Sequence, residues 1–73
     1  MAADTERDDT AVIEAAYEAR VREAFLILAE SLASGEEAGR MKERFRRARD
    51  WARKARTLAL EVVAEEAARA TKG

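Results

Sequence analysis

The chain contains no cysteine, no histidine and no proline, and has three glycines in 73 residues. Each absence removes a class of function. Without cysteine there is no disulfide, no thiolate site and no redox switch, and the redox compartment stays open. Without histidine the commonest metal ligand and the commonest general base at neutral pH are missing. The hydroxyls of Thr5, Thr10, Ser31, Ser34, Thr57 and Thr71 therefore have no imidazole or thiolate neighbour to activate them. Long apolar runs are also missing. The longest, Ala24 to Ala29, is far too short to span a bilayer. The N-terminus carries Asp4, Glu6, Asp8 and Asp9, the reverse of a basic secretory leader. These absences predict a soluble cytoplasmic protein with no enzymatic activity, no metal and no cofactor.

What is present favours helix. Alanine, glutamate and arginine abound, and their side chains lose little freedom on a helix. A chain this short rarely buries enough apolar surface alone, and with disulfides and metals excluded, self-association is the remedy left.

The longest regular pattern lies between Ala38 and Val62. Ala38, Met41, Phe45, Ala48, Ala52, Ala55, Ala59 and Val62 follow one another at alternating steps of three and four, a heptad seam on one long helix. Five of those residues are alanine, so a partner helix can approach closely. Upstream, Ile13, Tyr17, Val21, Ala24, Phe25, Leu28 and Leu32 trace a second apolar stripe. Between the two, Ala33-Ser34-Gly35-Glu36-Glu37 reads as a turn. Gly35 can adopt a left-handed conformation, and Ser34 and Glu37 stand at capping-box spacing. A loop this short makes the helices antiparallel neighbours; one continuous bent helix is the alternative.

The expected organisation is an acidic tail over 1–8, a first helix over about 9–33, a turn at 34–35 and a second helix over about 36–71. Asp8, Asp9 or Thr10 would cap the first helix. The second helix spans roughly 54 Å against roughly 37 Å for the first, so its end, from about Glu61, overhangs. The fold class is thus an all-α, coiled-coil-like hairpin that pairs with a second copy into a four-helix bundle. Phe25-Leu26-Ile27-Leu28 supports the pairing, because four consecutive large apolar residues surround a helix and one neighbour cannot cover them. The residues expected to build the self-association surface are Val21, Phe25, Leu28, Leu32, Met41, Phe45, Ala48, Ala52, Ala55 and Ala59.

Charge is segregated along the chain. Residues 1–37 hold ten acids and three bases, whereas residues 38–56 hold nine bases and two acids. With Ala38 at heptad position a, all the bases but Arg44 fall on one broad side. Arg40/Arg44, Lys42/Arg46 and Arg49/Arg53 stack like charges four residues apart, a small cost that selection for helix stability alone would avoid. Arg40, Arg44, Arg46, Arg47, Arg49, Arg53, Lys54 and Arg56 are therefore the candidate partner-binding residues. Their counterpart is the chain's own acidic first half, an acidic surface of another protein, or a nucleic-acid phosphate backbone. Anionic membrane is disfavoured, since an alanine seam opposite the Arg face gives little to insert. Phe45 and Trp51 read as packing residues, and Glu14/Glu18 and Glu61/Glu65 as a solvated face.

Leu32-Ala33-Ser34-Gly35-Glu36 followed by the Phe45 to Arg53 segment resembles the exonuclease VII small subunit, without the Leu/Pro loop of that family. Ala33-Ser34-Gly35 and the Arg-rich helix also resemble a two-helix protein of the large ribosomal subunit, which lacks an acidic first helix. Any charged hairpin shares these features, so neither family is assigned. The residues themselves point to a small helical regulator, inhibitor or adaptor that docks through its Arg face. The alternative is a nucleic-acid-backbone binder using the same face.

Overall fold

In a computed structural model, which describes residues 9–72, the chain folds back once on itself. Helix α1 runs Thr10–Ala33 and helix α2 runs Ala38–Lys72. The described residues are all helix apart from Asp9 and the turn, and no helix among them is long and apolar enough to cross a membrane. The acidic tail at 1–8 lies outside the described residues.

Each helix end is set by identifiable groups. At the start of α1, Asp9 occupies the N-cap position but its side chain makes no capping bond. Its carbonyl instead accepts the Ile13 N–H at 2.9 Å. At the other end the Gly35 N–H donates to the Leu32 carbonyl at 3.1 Å, and the Glu36 N–H donates to that of Ser31 at 3.0 Å. This paired pattern is a Schellman stop, and it needs a left-handed residue after the C-cap. Gly35, at φ 93°, supplies it.

The turn corrects the sequence expectation in two respects. It occupies 34–37, so Glu36 and Glu37 precede α2 instead of opening it. Ser34 is the C-cap of α1 and forms no capping box with Glu37. Glu37 caps α2 by itself, its Oε2 accepting the Gly39 N–H at 3.1 Å and its Oε1 the Arg40 N–H at 2.8 Å. A carboxylate there also lies at the positive end of the helix dipole. Gly39 leaves room for that folded-back side chain, because a Cβ at Gly39 would come within 2.9 Å of the Glu37 Oε2.

The helices pack antiparallel, with Glu14 level with Arg56 near one end and Leu28 beside Met41 near the turn. Ile13, Tyr17, Val21, Ala24 and Leu28 of α1 are half-buried, as are Phe45, Ala52, Ala59, Leu60 and Val63 of α2. Met41, 2% exposed, is the one fully buried side chain among the described residues. On α2 the expected a/d seam is covered only in part, at Met41, Phe45, Ala52 and Ala59. Ala48, Ala55 and Val62 at d are exposed, while Arg49 and Arg56 at e turn inward and are half-buried. The helix is rotated toward e because α1 offers Arg56 a carboxylate and an aromatic ring, whereas alanines at d offer little to bury. Phe25, Leu26 and Ile27 remain exposed and Leu28 points inward, as one neighbouring helix allows.

The outcome is a flat slab of 56 × 22 × 7 Å with a radius of gyration of 17.2 Å. A compact chain of 73 residues would have a radius near 11 Å. The surface of 5980 Å² likewise exceeds the roughly 4,500 Å² of a compact chain of 8.1 kDa. From about Ala64 onward α2 continues past the start of α1.

Replacing Gly35 with alanine should destabilise the fold by about 1–2 kcal/mol, since Cβ opposes the left-handed conformation while nothing else lies within 4 Å of it. A lowered melting temperature with unchanged helix content is expected by circular dichroism. Unchanged melting would show that the turn is not held as described.

Candidate functional site

The slab has two broad faces of different chemistry. The first is an open groove along the line where the helices meet. Its α1 wall includes Ile13, Ala24 and Ile27, and its α2 wall includes Trp51, Ala52 and Ala55. The lining is mostly apolar, but Tyr17 and Arg56 take part in it, and Arg20 and Glu23 lie along it 2.9 Å apart. Trp51 is 64% exposed, and the Lys54 ammonium lies 5.5 Å from its ring centroid. The expected self-association residues therefore divide three ways. Val21, Leu28, Met41, Phe45, Ala52 and Ala59 contribute to the contact within the hairpin. Ala48 and Ala55 open onto the groove. Phe25 and Leu32, both exposed, belong to the opposite face.

That opposite face is cationic. At 100° per residue, Lys42, Arg46, Arg49 and Arg53 of α2 project on the side away from the groove, where Phe25 and Leu32 of α1 also project. Arg46 pairs with Glu43 one turn earlier. A terminal nitrogen of Arg49 lies 3.5 Å from Asp50, while its Nε is shielded from solvent and has no acceptor. Arg40, Lys42, Arg44, Arg47 and Arg53 are exposed and make no ion pair among the described residues. Arg40, Arg44, Arg47 and Lys54 lie toward the outer and groove-side flanks of α2, so the cationic surface wraps most of the exposed helix.

Arg56 stands apart from the other seven candidates. Its Nε donates to the Glu14 Oε1 at 2.8 Å and its terminal nitrogen to Oε2 at 2.7 Å, a two-pronged bond across the hairpin. Its guanidinium carbon also sits 5.5 Å from the Tyr17 ring centroid. The Arg56 bond holds the Glu14 carboxyl below the usual glutamate range, and the reciprocal bond raises Arg56 further. Arg56 is committed internally, so it leaves the docking set. Among the described residues this is the one ion pair joining the two helices. Charge segregation alone could not single it out, because Glu14 and Arg56 are 42 residues apart in sequence.

Among the described residues no three His, Cys, Asp or Glu side chains gather as a metal site would require. Comparison of the chain with protein-family models, with curated proteins and with solved structures found no match.

The Glu14–Arg56 bond generates a pH-dependent expectation. A carboxyl lowered by folding adds stability above its unfolded value, about 4.3 for glutamate. That contribution is lost as pH falls through the lower folded value. Glu14→Gln should therefore melt below the wild type at neutral pH, with the gap closing in acid. Parallel melts from pH 7 to pH 2 check it; a gap that persists at low pH would assign the loss to packing instead.

Proposed function

We propose that this protein is a non-enzymatic cytoplasmic interaction protein that self-associates as a dimer of hairpins and docks on an acidic protein surface through its Arg-rich face. A small regulator, inhibitor or adaptor works in this way, by occupying a surface of a larger partner. The observation that carries the reading is the mismatch between the two helices. The α2 segment from Ala38 to Arg56 holds nine bases, and α1 satisfies one of them. Arg40, Lys42, Arg44, Arg47 and Arg53 stay exposed without an acidic partner among the described residues. Five cations stacked on one rod repel one another unless something anionic lies against them.

The company these residues keep favours protein over phosphate. Phe25, 56% exposed, and Leu32 share the face of Lys42, Arg46 and Arg53. Apolar anchors beside Arg suit the buried centre of a protein interface, where aromatics and Arg carry most of the energy. A phosphate backbone would need the cations but would gain nothing from Phe25 or Leu32. Trp51, the remaining exposed aromatic, opens on the groove rim with Lys54 over its ring.

The triple charge reversal of Arg46, Arg47 and Arg53 to Glu separates docking from folding. Among the described residues none of the three makes an ion pair with α1, and exposed pairs such as Arg46–Glu43 contribute little. Helix content and oligomer size should be unchanged, with melting shifted by no more than a few degrees. Material co-purifying with the wild type should be protein, resistant to nuclease, weakened by salt and absent from the variant. Co-purification of nucleic acid with high 260 nm absorbance would overturn the protein reading. A destabilised variant that still holds its partner would place the counter-charge within the molecule.

A further inference from the structure

The groove is an apolar surface that the hairpin itself does not cover, and its shape and charge select an occupant. We propose that it is filled by the groove of a second copy, related by a two-fold axis parallel to the helices, so that both turns lie at the same end. This rests on the self-association reading above and specifies its face and its orientation.

Size comes first. The length over which α1 and α2 run side by side is about 36 Å, from 24 residues at 1.5 Å each, and the molecule as a whole extends 22 Å across. The flat footprint is thus at most roughly 800 Å², the order of what a standard interface buries on each partner. Relief comes second. The groove floor is paved with Ala24, Ala48, Ala52 and Ala55, while Ile27 and Trp51 stand along it. Small residues beside large ones let two copies of one surface interlock, as a two-fold interface demands.

Charge then decides between the two ways of stacking such slabs. A two-fold axis across the helices puts the turns at opposite ends and lays each helix on its own copy. The bases on the groove-side flank of α2, Arg47 and Lys54 among them, would then lie along the same stretch of the other chain. Like charges so placed are penalised. An axis parallel to the helices lays α2 on α1 of the second copy instead. That helix has four acids and two bases between Thr10 and Ala33. Heights along the bundle are preserved by this operation, so Glu23 on the groove rim comes level with Ala48 of the second copy. The opposite face of each hairpin, with Lys42, Arg46 and Arg53, stays on the outside.

Because the chain has no cysteine, one introduced at Glu36 in the exposed turn takes a single spin label. Light scattering should give twice 8.1 kDa for labelled protein. Pulsed dipolar spectroscopy should place the two labels within about 30 Å, since packed helices lie 8–10 Å apart and the label arms add the rest. Labels separated by more than about 40 Å, the length of α1 plus the turn, would overturn the shared-end orientation while leaving self-association intact. A monomer mass with no dipolar signal would overturn both. Ala55→Arg, which puts a long charged side chain into the groove, should abolish the dimer, whereas Phe25→Arg on the other face should not. A dimer that survives Ala55→Arg would show that the groove is not the interface.

Discussion

Two helices side by side have no inside, and everything else in this molecule follows from that constraint. A residue on the contact line of a pair is shielded from one direction only. Met41, beneath the turn where the chain itself adds a third wall, is the exception. The other contact residues, from Ile13 and Tyr17 to Phe45 and Ala52, are half-buried at best. Helices in water draw most of their stability from packing an apolar face and little from propensity. A pair with one buried side chain among the described residues has correspondingly little to draw on. The Arg56 bond to Glu14, with Tyr17 alongside, fixes the register at the end far from the turn.

The same constraint explains how the faces are divided. Because α2 turns its e positions toward α1, its d positions open onto the groove and its b and c positions face outward. Lys42, Arg46 and Arg53 end up on the side of the slab away from the apolar groove, while Arg40, Arg44, Arg47 and Lys54 run round the outer and groove-side flanks. A second copy on the groove therefore leaves the face of Lys42, Arg46 and Arg53 available to a different partner.

Much of the architecture could be read from residue order. Gly35 between two apolar stripes announced the hairpin, and the unequal stripe lengths announced the overhang of α2. The run Phe25 to Leu28 is more than one neighbouring helix can cover, and α2 leaves Phe25, Leu26 and Ile27 exposed. The rest depended on contacts that spacing does not encode. An a/d reading follows from the three-four rhythm of Met41, Phe45, Ala48 and Ala52. Whether e or d turns inward depends on what stands opposite, and Glu14 draws Arg56 in. Capping was misread for a related reason. Ser34 and Glu37 have the right separation for a reciprocal cap, but the Schellman stop at Gly35 commits Ser34 to α1. Glu37 is left to close α2 over the space that Gly39 provides.

The central proposal is that folding and self-association are coupled, because a lone hairpin leaves its groove uncovered. Partners that bind only the folded state raise its apparent stability by mass action. Thermal melts followed by circular dichroism over a hundredfold range of protein concentration test this directly. The account predicts a melting temperature that climbs steadily with concentration, with helix content and the two-chain mass disappearing together on dilution. A melting temperature independent of concentration, with full helix content in a species of 8.1 kDa, would contradict it.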